Sequence, residues 1–167
     1  MKASEAHFEI EAIFHAQYER IARVIARVIR DPARAEELAV EVFLKFWRNQ
    51  HAQANSEGWL YRVAVRTGLN ELRARTRRSR YEALLGFGRS THTPEDIRAT
   101  TEAQERVRLV LAAIEERQAE LLLLRSHGLS YEELACALDL NSASIGTLLS
   151  RAQQAFRKEY IKRYGEG

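Results

Sequence analysis

The sequence predicts an all-α protein made of two small helical domains joined by a flexible linker. Three observations carry that reading. Apolar residues recur every three or four positions along most of the chain, and no segment shows strand-like alternation. Residues 81–102 break the pattern with two glycines, a proline and many polar side chains, as a linker does. Leu129 to Tyr160 reads as a short helix, a tight turn and a longer helix with a basic end. The length of 167 residues allows one ordinary domain or two small ones, and the pattern divides the chain as 1–80, 81–102 and 103–167.

Ile10, Ile13, Phe14, Tyr18, Ile21, Val24, Ile25, Val28 and Ile29 mark a first long helix. Asp31-Pro32 ends it and opens the next, with Asp31 as cap and Pro32 at the first helical position. Ala35, Leu38, Ala39, Val42, Phe43, Phe46 and Trp47 then define a helix from about residue 32 to 49, with Phe43, Phe46 and Trp47 as core. Asn49 to Gly58 is a polar loop, and Ser56 is a candidate cap for a third helix from about 57 to 76. In the linker, Leu84-Leu85 marks a turn. Helical spacing resumes near 103 with Val107, Val110, Leu111 and Ile114, then Leu121 to Leu124, and His127-Gly128 is a stop. The second unit is thus a four-helix domain of about 60 residues, a size at which a core is marginal on area grounds.

The segment after Gly128 carries the sharpest local signals. Ser130 with Glu133 is a capping box. Leu134, Ala135 and Leu138 share a face. Leu140-Asn141 breaks the helix, and Asn141 or Ser142 can cap the next, on which Ile145, Leu148, Leu149, Ala152 and Phe156 recur at helical spacing. Two helices joined this tightly cross steeply, as in a helix-turn-helix whose second helix enters a major groove. Alone, the segment also fits an ordinary helical hairpin.

Composition removes several classes. No run of 18 apolar residues exists, so no membrane insertion is expected, and the acidic start MKASEAHFEIEAIF does not resemble a signal peptide, which points to a cytoplasmic chain. Cys136 is the only cysteine and reads as a small buried residue. His7, His15, His51, His92 and His127 have no partners at metal-ligand spacing, and neither a phosphate-binding glycine loop nor a nucleophile elbow is present. No enzymatic activity, cofactor or metal is therefore expected. The net charge of +3 conceals blocks: residues 62–80 hold seven arginines against Glu71, and residues 141–167 hold five cations against two acids, whereas residues 81–140 are net −5. Two basic blocks, each closing a helical segment, point to two contacts with a polyanion. Cations favoured at helix ends explain the second block but poorly explain seven arginines in nineteen residues.

At DPARAEELAVEVFLKFW (31–47), GWLYRVAVRTGLNELRAR (58–75) and LLLLRSHGLSYEELACALDLNSASIGTLLSRAQQAFRK (121–158), the chain resembles the extracytoplasmic-function (group IV) sigma factors of bacterial RNA polymerase, in the sigma-70 superfamily. The resemblance spans nearly the full length. It implies a promoter-specificity subunit that binds core polymerase and directs transcription initiation at −10/−35 promoters, a bacterial cytoplasmic and nucleoid-associated place of work, and no catalysis of its own. The implied partners are core RNA polymerase (β′ clamp coiled coil and β flap), promoter DNA and an anti-sigma factor. By the same resemblance, Glu37, Val40 and Glu41 would dock on the polymerase. The −10 element would meet Asn55, Trp59, Tyr61, Arg62, Arg66, Arg73, Arg75, Arg77 and Arg78, with Trp59 equally suited to the core. Ser142, Ser144, Thr147, Ser150 and Arg151 would face the −35 element.

The chain departs from the family pattern in places. Val40 stands where the family often has Gln, Arg66 and Asn70 where many members have Asn and Asp, and Gly146 and Leu148 where Lys and Arg are usual. The recognition helix is thus poor in cations, which weakens phosphate anchoring and guanine readout. Two other functions fit parts of the chain: a DNA-binding regulator that works without polymerase, which would not need residues 1–80, and a sigma-like decoy that titrates a regulator, against which the arginine track argues.

Overall fold

A computed structural model describes residues 2–49, 55–86 and 99–166 of the chain. The described residues form seven α-helices, with no strand among them. The first unit comprises α1 (Lys2–Ile29), α2 (Pro32–Arg48) and α3 (Ser56–Leu84). The second comprises α4 (Ala99–Ala113), α5 (Glu116–Ser126), α6 (Tyr131–Leu138) and α7 (Ile145–Tyr164), with a 3₁₀ turn over Ser142–Ser144 before α7.

Local chemistry sets the boundaries. Arg30 takes φ of 53° and so turns the chain out of α1, a conformation that costs a side-chain-bearing residue some strain. Asp31 caps α2 by accepting a hydrogen bond from the Arg34 amide at 3.1 Å, and Pro32 follows at the first position. Asn55, rather than the anticipated Ser56, caps α3: its Oδ1 accepts from the Gly58 amide at 3.3 Å. Gly58 suits this turn because a Cβ there would lie 2.5 Å from Asn55 Nδ2. The Ser130–Glu133 capping box forms as expected, and Asn141 Oδ1 accepts from the Ala143 amide at 3.0 Å to start the turn into α7.

Two extents differ from the sequence expectation. α3 continues past residue 76 to Leu84, and α4 begins at Ala99 rather than near 103. The helical ends therefore consume part of the anticipated linker, and residues 87–98 lie outside the described residues, as do 50–54 of the polar loop. The arginine block does not stop the helix, because Arg75 pairs with Asp31 at 2.9 Å and with Glu71 at 3.5 Å, and Glu71 also accepts from Arg34 at 3.1 Å. These four residues tie the start of α2 to the middle of α3.

α3, at 29 residues, spans about 43 Å at 1.5 Å per residue. It lies against α1 and α2 on one side and meets α4, α5 and α6 on the other. Ile21, Ile25, Leu38, Val42, Phe46, Leu60, Val65 and Leu69 fill the first unit. Gly68 lets α1 and α3 approach closely, since a Cβ there would meet Val28 at 3.1 Å. Leu121, Leu124, Leu134, Leu138, Ile145 and Leu149 fill the second, and one apolar cluster runs through both units. Trp47 is not part of it. At 52 % exposed it faces outward, contrary to the core placement expected for it. Cys136 is likewise exposed rather than buried.

Candidate nucleic-acid and protein interfaces

α2 presents two apolar faces. At about 100° per residue, Ala35, Leu38, Ala39, Val42, Phe43 and Phe46 cluster on one side, whereas Val40, Leu44 and Trp47 fall within roughly 60° of one another on the other. The first set is buried. The second is 44 %, 44 % and 52 % exposed. Together with Ile10, Glu11, Phe14 and Phe43, these three line a groove of about 300 Å³ between α1 and α2. Glu37 and Glu41, both exposed, flank it, and Glu37 accepts a hydrogen bond from Arg34 at 2.7 Å. The surface is therefore an apolar strip with an acidic border. Leu44 and Trp47 are its unanticipated members. The helical phase that groups them with Val40 was available in the sequence.

The residues assigned to −10 recognition do not form one track. Along α3, Trp59, Arg62, Arg66, Asn70, Arg73, Arg77 and Arg80 fall on a single face within about 80°, with the cap Asn55 at its head. Arg75 points the opposite way and is held by Asp31 and Glu71. Arg78 is exposed but lies about 120° round the helix from Arg66. Tyr61 does not belong to an exposed set either. It is 4 % exposed beneath the Arg20 guanidinium, 5.2 Å from its ring, and burial pushes its phenol pKa up. Trp59 is half-buried and lies 5.6 Å from the Phe46 ring, so its indole lies along the core edge. Asn70 and Arg80, absent from the anticipated set, are exposed on the stripe.

Much of this stripe is covered by the second unit. Arg66 Nε donates to Glu120 Oε1 at 2.8 Å and lies 3.8 Å from Glu116. Arg73 donates to the carbonyls of Ala112 and Ile114 at 3.2 and 3.1 Å, satisfying the C-terminal end of α4. Asn55 Nδ2 lies 2.8 Å from Cys136 Sγ. Arg77 and Arg80 open into a cleft of about 420 Å³ that also takes Lys162 and Arg163 from α7.

The helix-turn-helix is differently placed. Ser142, Ser144, Thr147, Ser150 and Arg151 are all exposed, as a groove-entering surface requires. Behind them, Ile145, Leu149 and Ala152 anchor α7 in the core. A Cβ at Gly146 would meet only the Tyr131 ring, at an ordinary 3.5 Å, so no close backbone approach demands glycine there.

A three-helix unit with an arginine-lined helix, followed by a four-helix unit ending in a helix-turn-helix, is the architecture of a two-domain transcription factor. Residues 13–78 match Sigma-70 region 2 and residues 104–155 match Sigma-70, region 4. The chain is 33 % identical over 148 residues to an ECF RNA polymerase sigma factor SigK from Mycolicibacterium vanbaalenii, covering 83 % of this chain and 75 % of that one. It is 28 % identical over 153 residues to the RNA polymerase sigma-H factor of Pseudomonas aeruginosa, covering 83 % and 79 %. With the RNA polymerase sigma factor YlaC of Bacillus subtilis it shares 26 % over 160 residues, 92 % of each. In fold it is similar to the sigma factor RpoE solved in complex with the anti-sigma factor NepR from Bartonella quintana, with a TM-score of 0.53 at 17 % identity over 90 % of this chain and 96 % of that one. The chain belongs to the extracytoplasmic-function sigma factors of the sigma-70 family, proteins that give RNA polymerase its promoter specificity.

Proposed function

We propose that the two units divide the work of initiation between three surfaces. The apolar strip of Val40, Leu44 and Trp47 with its border of Glu37 and Glu41 docks on core polymerase. An exposed apolar patch with a charged rim is the usual form of a protein interface, and this one is built on a helix whose opposite face is wholly committed to the core. The α3 stripe, with Arg66, Asn70, Arg73, Arg77 and Arg80, follows the backbone of the melted −10 strand, where arginine supplies both charge and a stacking plane. The exposed turn and first turns of α7 face the −35 element. There Ser142, Ser144 and Thr147 sit near base edges, and Arg151, beyond the first turn of α7, clamps phosphate. An anti-sigma factor is the natural negative partner of such a chain.

The observation that carries the reading is the single face of α3. Five arginine or asparagine side chains point one way over about 21 Å of helix, a length of several nucleotides. The test is transcription in vitro from a promoter library with purified core polymerase. Selection of promoters sharing two elements at fixed spacing supports the proposal. Transcripts no different from those of core polymerase alone would refute it.

A further inference from the structure

α1 carries a third basic surface, apart from α3 and the end of α7. Arg23, Arg27 and Arg30 are exposed and fall within about 60° of one another around that helix. None of the three forms an ion pair among the described residues. They line one wall of a groove of about 700 Å³, and α4 supplies the other wall. α1 packs on α2 and α3, and α4 packs on α3, α5 and α7, which leaves the space between α1 and α4 open. The floor is aliphatic, made by Ala26, Val28, Val107, Leu111 and Leu123, and Val107 is 40 % exposed. Arg108 lines the groove from α4 with its side chain only 11 % exposed. Burial pushes its pKa down and the charge of Arg30 adds to that, while Glu105 at 2.7 Å acts the other way. Asp31, next along the chain from Arg30, is already held by Arg75 and the Arg34 amide. Four guanidinium groups therefore border an apolar floor, and among the described residues Glu105 is the one carboxylate paired with them.

We propose that this groove binds a small aliphatic phosphate monoester, its head on the arginines and its chain along the floor between α1 and α4. Charge sets the head. Four guanidinium groups against one carboxylate suit a dianion, and guanidinium meets phosphate in bidentate geometry. The floor sets the body. No aromatic ring lines the groove, and Gln104 is its one neutral polar side chain, so a nucleobase would find neither a stacking plane nor a set of hydrogen-bond partners. Extent sets the size. The arginines cover about 10 Å of α1, bounded by the exposed Glu19 one turn before Arg23 and by the end of the helix at Ile29. A long acidic peptide would run past them onto Glu19, whereas the volume lies within the range of small-molecule sites, roughly 300–1,000 Å³. The Val40–Leu44–Trp47 groove is also apolar but has an acidic border, so the two grooves select amphiphiles of opposite charge. No residue named in this site belongs to the three surfaces of the proposed function. A bound ligand would give the chain a small-molecule input separate from polymerase and promoter.

Isothermal titration calorimetry of the full chain with decyl phosphate tests the site. One molecule should bind per chain. Inorganic phosphate keeps the head without the chain, and decanol keeps the chain without the head. Each should bind at least about tenfold more weakly than decyl phosphate. Val107→Glu places a carboxylate on the floor among the arginines, and Arg23→Ala/Arg27→Ala removes two guanidinium groups from the wall. Each variant should lose about tenfold or more in affinity for decyl phosphate. All three substituted residues are exposed, so both variants should keep the helical content of the parent by circular dichroism. Transcription by both variants in the absence of the probe should match the parent, which separates this site from the promoter-binding surfaces. No binding by the parent, several molecules per chain, or parental affinity in both folded variants overturns the site. Displacement of decyl phosphate by decyltrimethylammonium overturns the choice of an anionic head.

Discussion

Replacing Trp47 by alanine should weaken binding to core polymerase by nearly two orders of magnitude. A tryptophan side chain presents about 150–250 Å², and Trp47 is 52 % exposed, so roughly 100 Å² remains to be covered by a partner. At about 25 cal/mol per Å² that surface contributes about 2.5 kcal/mol, or roughly 60-fold in Kd. Leu44, 44 % exposed beside it, contributes about 1 kcal/mol by the same scale, or roughly fivefold. The covered half of Trp47 also supports the fold, so Trp47→Ala loses stability of similar size. Its binding is therefore measured at a temperature where circular dichroism shows the variant folded. Leu44→Ala, a smaller truncation, serves as the second variant. The assay is a titration of labelled protein with core polymerase. Affinities within twofold of the parent for both folded variants would refute the reasoning, because an interface that covers this strip cannot be indifferent to its largest side chain.

Reversing Glu37 and Glu41 to lysine should also abolish polymerase binding while leaving helical content unchanged, since both are exposed; a folded variant that binds normally in the same titration would remove them from the interface. Gly146→Ala should stabilise the second unit by up to about 1 kcal/mol, the helix propensity difference, because the added methyl meets only the Tyr131 ring at 3.5 Å; thermal unfolding checks it, and a lower melting temperature would contradict the geometry. Asp31 and Glu71 are both held below the ordinary carboxylate range, Asp31 by the Arg34 amide and then Arg75, Glu71 chiefly by the Arg34 guanidinium. A depressed folded pKa means that their stabilisation is present above the unfolded values, roughly 4, and is lost as pH falls through the lower folded values. Denaturant unfolding at a series of pH values should show that loss below about pH 4.5, and Glu71→Gln should flatten it.

The helices were legible because their apolar spacing is nearly continuous, and the capping box at Ser130 and Glu133 and the Asp31-Pro32 junction were legible because caps are local chemistry. The differences between sequence pattern and structure share a cause. Trp47 follows Phe43 by four residues and so continues its row, but it also completes the row of Val40 and Leu44, and nothing local tells which face a helix with two apolar sides will bury. Cys136 lies opposite Leu134 and Leu138 on a helix of only eight residues, where one face suffices for anchoring. The arginines of α3 were visible as a block, but their partition was not. Arg75 belongs to a network closed by Asp31, 44 residues away, and Arg66 to Glu120, 54 residues away. Pairings at such separations leave no periodic trace.

In the proposed function, one face of α3 meets the −10 strand in the polymerase–promoter complex. The most direct measurement places a photo-crosslinking amino acid at position 77, on the stripe, and separately at position 75, on the opposite side beside Asp31 and Glu71. Each protein is assembled with core polymerase and a selected promoter, irradiated, and the crosslinked bases are mapped. Crosslinks from position 77 to the non-template strand of the −10 element, with few or none from position 75, are the predicted result. Equal yields from both positions, or no crosslink from position 77 in a complex competent for transcription, would contradict the account.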